Sequence, residues 1–163
     1  MTAIEPPPPV QRPAPRLAIV MPCYNEQAVL PHTAQRMGPY LDDLVSRGIV
    51  AASSFVYFVD DGSADATWVQ IAELARSDAR FRGLKLTRNF GHQGAVLAGM
   101  FEVDADVVVT IDADLQDDET CIERMVLAGS VIVMGTVVFQ SGLLLAGWIS
   151  PLTLFGPGFL ITL

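Results

Sequence analysis

Charge is absent from this chain beyond Arg124: all ten Lys and Arg and all eighteen Asp and Glu lie at or before that residue. A uniform soluble globule is therefore excluded, and a hydrophobic share of 51% excludes a disordered chain. Cysteine is scarce. Cys23 and Cys121 stand far apart with no partner pattern, which argues against a disulfide framework or a zinc site and fits a reducing compartment. Positive charge is outweighed, and at a net charge of −8 the protein repels phosphate backbones, so a basic nucleic-acid binder is excluded. The N-terminus lacks the basic end and apolar run of a secretory signal. Residues 1–16 hold Pro6 to Pro9, Pro13 and Pro15 instead and read as a disordered, proline-rich tail. At 163 residues the chain accommodates one ordinary domain and not a two-domain enzyme of standard size.

From Leu17 onward, short apolar runs alternate with amphipathic stretches, the pattern of βα units in a parallel sheet. Strands are expected at residues 17–21, stopped by Pro22, and at 55–59, 83–87 and 106–111. Helices are expected at 31–47, with Met37, Leu41, Leu44 and Val45 on one face, at 66–76, with Trp68, Val69, Ala72 and Ala75 inward, and at 94–103. The fold class is α/β, with residues 17–125 as one unit. Each strand runs into a polar cluster: PCYNE from Pro22, DDGS from Asp60, RNFGHQ from Arg88 and DADLQDD from Asp112. Ligands of open parallel sheets bind at the carboxyl ends of the strands, so four such clusters on one edge describe a site.

Within these clusters, Asp112 and Asp114 place two carboxylates two residues apart after a buried strand. Such hard oxygen ligands suit Mg²⁺ or Mn²⁺, which completes its shell with water and substrate phosphate. Gln116 adds an amide oxygen. Asp pairs also cap helices and fill turns, and a lone DxD does not separate these uses. Gly62 permits a positive φ, and Ser63 or Asp65 caps the next helix, but a turn does not need the adjacent acids Asp60 and Asp61. Arg88 is shaped either for phosphate or for a salt bridge to a neighbouring acid. His92 reads equally well as part of a helix entry and is a poor general base. Cys23 reads as a small apolar residue beside the site.

Taken together and in order, PCYNE, DDGSAD, RNFGHQGA and DADLQDD resemble the family-2 glycosyltransferases, and more narrowly their polyprenyl-phosphate branch of dolichol-phosphate mannose synthases and bactoprenol glucosyltransferases. The resemblance covers roughly residues 16 to 125. It implies a GT-A fold, a nucleotide-diphosphosugar donor, a polyprenyl-phosphate acceptor and inversion at the anomeric carbon. It implies that Pro22, Tyr24 and Glu26 line the nucleotide pocket, with Ala113 beside Asp112, that Asp60 and Asp61 meet the base and ribose, and that Asp112, Asp114 and Gln116 surround a divalent metal. Asp112, Asp114 and Arg88 are the expected catalytic residues. Complete members carry an acceptor-side half after the metal motif, whereas here Glu123-Arg124-Met125 runs directly into an apolar stretch; a truncated chain is the expectation.

Residues 126–163 read as a membrane segment. The stretch from Leu127 to Trp148 is uncharged and long enough to cross a ~30 Å hydrocarbon core, which needs about 20 helical residues. A buried hairpin of a soluble domain is the plainer reading of the same run. The expected location is the membrane, with the N-terminal domain in the cytoplasm, and a homo-oligomer is left open. An alternative is a catalytically incomplete, nucleotide-sugar-binding remnant. A phosphatase with an Asp nucleophile lacks the expected hydroxyl residue, since Gln116 stands there.

Overall fold

The structure is a computed structural model and describes residues 13–115 and 120–127. Four parallel strands, β1 (Leu17–Cys23), β2 (Phe55–Asp60), β3 (Phe81–Lys85) and β4 (Val107–Thr110), form a sheet in the order β3-β2-β1-β4. Between and after them run α1 (Leu30–Ser46), α2 (Thr67–Ser77), α3 (His92–Glu102) and α4 (Thr120–Leu127). The α/β expectation holds. Every residue of β1 and β2 is buried, as a sheet covered on both faces requires.

Alternation along the strands divides the core. Leu17, Ile19, Met21 and Cys23 of β1 join Val56 and Phe58 of β2 under Met37, Leu41 and Leu44 of α1, Ile71 of α2 and Ile122 of α4. On the opposite face Ala18, Val20, Phe55, Tyr57 and Val59 meet Ala95 of α3. Gly99 lets α3 lie close to the sheet: a Cβ there would come within 2.5 Å of Val20 Cγ1 and 2.7 Å of Val59 Cγ2.

Three expectations are corrected. Pro22 does not end β1, which continues to Cys23 in register with Asp60. The Val20 carbonyl accepts from Ile111 on the β4 side and the Cys23 carbonyl from Asp61 on the β2 side. By that alternation Pro22 faces β4 beyond their last pair, Val20 with Thr110, where the ladder asks for no donor. β3 begins at Phe81 rather than at residue 83, because Phe81 pairs with Val56 and its ring stacks on Phe58. On α2 Thr67 and Ile71 are the buried residues and Trp68 packs against the core as expected, whereas Val69 and Ala75 are exposed.

Residues 1–12 of the expected tail, Gln116 to Glu119 and the expected membrane segment from Ala128 onward lie outside the described residues. Among those described, no helix is long and apolar enough to cross a membrane.

Candidate active site

The strand order reverses beside β1: β2 and β3 extend to one side of it and β4 returns on the other. Loops leaving adjacent strands in opposite directions open a crevice at the carboxyl edge. A cleft of about 260 Å³ lies there, walled by Pro22, Cys23, Tyr24 and Glu26 after β1 and by Asp112, Ala113 and Asp114 after β4, with Asp61, Asn89, Gly91, His92 and Ala95 completing it.

The β1 wall is held by an exchange of hydrogen bonds between two loops. Backbone N–H groups of Asn25, Glu26 and Gln27 donate to Ser63 Oγ (2.9 Å), Thr67 Oγ1 (2.8 Å) and Asp65 Oδ2 (3.2 Å). In return Ala64 N–H donates to Asn25 Oδ1 (2.9 Å) and Ala66 N–H to Gln27 Oε1 (3.0 Å). Asn25 adopts φ 57°, a left-handed conformation that asparagine tolerates better than most residues. Gly62, at φ 70°, is required for a further reason: a Cβ would stand 2.6 Å from the Arg88 carbonyl carbon.

The expected acids separate by strand parity. Asp61 lines the cleft, and its Oδ1 accepts the Phe90 N–H at 2.7 Å, tying the loop after β3 to the same wall. Asp60 is fully buried beside its register partner Cys23, on the face of Val56 and Phe58, and is not among the residues lining the cleft. Its Oδ1 accepts the Ser63 N–H at 3.1 Å, while Oδ2 is buried without a hydrogen-bond partner among the described residues. Asp60, expected beside Asp61 at the base and ribose, thus sits beneath the wall that Asp61 lines.

Asp112 and Asp114 both reach the cleft while Ala113 between them is buried, the alternation expected of an extended DxD. Leu115 closes the turn with φ 53° and a backbone bond of 3.3 Å to the Asp112 carbonyl. Burial, then the neighbouring Asp114, Asp65 and Asp112 carboxylates, push the Glu26 carboxyl above its ordinary value. Burial pushes the Cys23 thiol up as well, with Glu26 and Asp60 adding to it, so this sulfur is a packed side chain and not a nucleophile.

A divalent cation fits this donor set. Among the described residues no group of three or more His, Cys, Asp or Glu is arranged as a protein-only metal cage. Two carboxylates on a cleft with crowded negative charge match an ion such as Mg²⁺ or Mn²⁺ that draws its remaining ligands from water and substrate phosphate. Gln116, the third expected ligand, lies outside the described residues.

Arg88, expected as a catalytic residue, lies beside the cleft wall. Its guanidinium lies over the exposed Phe90 ring, 4.3 Å from the centroid, and it is not among the residues lining the cleft. Its neighbours Asn89 and His92 line the cleft, and His92 Nε2 stands 3.7 Å from Asp112 Oδ1.

The family model for glycosyl transferase family 2 matches residues 18–137. The chain belongs to glycosyl transferase family 2. This family 2 chain is 43% identical over 126 residues to an uncharacterized glycosyltransferase, YkoT, of Bacillus subtilis strain 168, a match covering 74% of the chain and 37% of that protein. It is 36% identical over 116 residues to an undecaprenyl-phosphate 4-deoxy-4-formamido-L-arabinose transferase of Shewanella sediminis, covering 68% of the chain and 32% of that protein. Mannosyltransferase PcManGT from Pyrobaculum calidifontis, solved in complex with GDP-Man and Mn²⁺, shares the fold with a TM-score of 0.52 at 22% identity, over 69% of this chain and 32% of that one. The chain spans about a third of the length of the curated relatives it matches.

Proposed function

We propose that this family 2 domain binds a nucleotide-diphosphosugar in the cleft at its carboxyl edge and serves transfer of the sugar to a polyprenyl phosphate. The observation that carries the reading is the convergence of Glu26, Asp61, Asp112 and Asp114 on one cleft at the switch between β1 and β4. Pro22, Tyr24 and Asp61 shape the nucleotide side, supported from beneath by Asp60. Asp112 and Asp114 hold the metal end. Mg²⁺ or Mn²⁺ bound there would neutralise charge on the leaving diphosphate as a Lewis acid. The bond between the anomeric carbon and the β-phosphate oxygen breaks, and its electron pair leaves with the nucleoside diphosphate. An acceptor phosphate oxygen forms the new bond from the opposite face, giving inversion. That oxygen is already anionic, so no strong base is demanded.

Support for the lipid acceptor comes from the activity for which the Shewanella relative is named and from the uncharged stretch after Arg124. That stretch also favours a membrane location, with the nucleotide-binding domain on the cytoplasmic side, where such donors are made. The full chain is expected to remain with membranes through carbonate extraction; release into the supernatant counts against this location.

Transfer is tested with radiolabelled GDP- and UDP-sugars, undecaprenyl phosphate and Mn²⁺, comparing the full chain with Asp114→Ala. Metal-dependent glycolipid from the wild type and none from the variant is expected. Metal-dependent binding without glycolipid would identify this chain as the donor-binding part alone.

A further inference from the structure

The inward face of α1 carries Leu30, Ala34, Met37, Leu41 and Leu44, and one hydroxyl among them, Thr33, which is fully buried. Its Oγ1 lies 2.5 Å from the Ala113 carbonyl oxygen and 3.2 Å from that of Val29. A hydroxyl has one proton to give. The Val29 carbonyl already accepts the Thr33 backbone N–H at 3.1 Å, so the proton goes to the nearer oxygen, of Ala113. That carbonyl belongs to the residue between Asp112 and Asp114, whose own side chain is buried in the core while the flanking acids face the cleft. Helix α1 thereby reaches across eighty positions of sequence to the middle of the DxD.

We infer that Thr33 is a positioning residue: its hydroxyl clamps the Ala113 carbonyl and so holds Asp112 and Asp114 in the orientation that binds the metal end of the donor. Packing alone does not supply this, because a valine of the same shape would leave the buried carbonyl without its donor and free the turn to rotate. The inference rests on the assignment of Asp112 and Asp114 in the proposed function, and its test separates the two.

The full chain is compared with Thr33→Val and Thr33→Ser by amide hydrogen exchange without metal, and by electron paramagnetic resonance titration with Mn²⁺ alone. In Thr33→Val, exchange in residues 111–115 is expected to accelerate about tenfold, the effect of losing one buried hydrogen bond, while Met37 to Leu44 keep wild-type protection. Mn²⁺ affinity is expected to fall about tenfold, as for the loss of an outer support of a metal ligand. Thr33→Ser restores both. Wild-type exchange at 111–115 in Thr33→Val, or a serine variant as impaired as the valine, overturns the inference. The expected exchange pattern in a wild type that binds no Mn²⁺ upholds the clamp and instead overturns the metal assignment.

Discussion

Glu26 is fixed at its backbone and crowded at its side chain. Its N–H is committed to Thr67 Oγ1, and its carboxyl shares the cleft with Asp112 and Asp114. Because its native pKa is raised, the folded state binds the proton more tightly than the unfolded chain. Stability therefore falls as pH rises from the ordinary glutamate value through the raised native one, and the penalty is fully present above that window. Glu26→Gln removes it: the variant is expected to melt a few degrees above wild type at pH 7 by calorimetry, with the two converging below the ordinary glutamate pKa. Equal melting at pH 7 contradicts this account. The residue itself was legible as part of PCYNE, but its surroundings were not. Asn25 and Gln27 bond to a loop almost forty positions away, and only the adjacency of β1 and β2 makes those partners available. The fates of Asp60 and Asp61 were equally hidden, since neighbouring acids look alike until the pleat assigns each to a face.

At the scale of elements, the seating of α3 is the point most open to test. Gly99→Ala drives a methyl into Val20 and Val59, both on buried strands, and is expected to destabilise the domain by about 1–3 kcal/mol, measured as a lowered urea midpoint at unchanged slope. An unchanged midpoint would mean that α3 does not pack as described. Element existence was readable because parallel strands buried on both faces leave continuous apolar runs. Boundaries and faces were less so. GLKLT is as strand-like as FRGLK, and the choice depends on Phe81 meeting Phe58 across the sheet. Thr67, which no periodicity singled out, is buried at the start of α2, where its hydroxyl both accepts the Glu26 N–H and donates to Asp65 Oδ1.

Across the molecule, net negative charge and a carboxylate-lined cleft make a divalent cation a natural stabiliser of the native state. Mn²⁺ with GDP or UDP is expected to raise the melting temperature of the full chain, by about 2.7 kcal/mol of stability at a hundredfold excess over the dissociation constant. EDTA should reverse the rise, and the absence of any shift with either nucleotide counts against the donor cleft. The edge on which the site lies was legible from four polar clusters, each following a strand. The crevice itself was not, because the sequence lists strands in chain order, and the reversal beside β1 exists only in space.

The hydrogen-bond exchange between the loops after β1 and β2 has a mechanical consequence. With five bonds passing in both directions, these loops cannot part without breaking several at once, so they behave as one rigid jaw. Across the cleft, a threonine hydroxyl from α1 holds the DxD turn through the Ala113 carbonyl. The wall that this jaw presents to the cleft is therefore set before any ligand enters it.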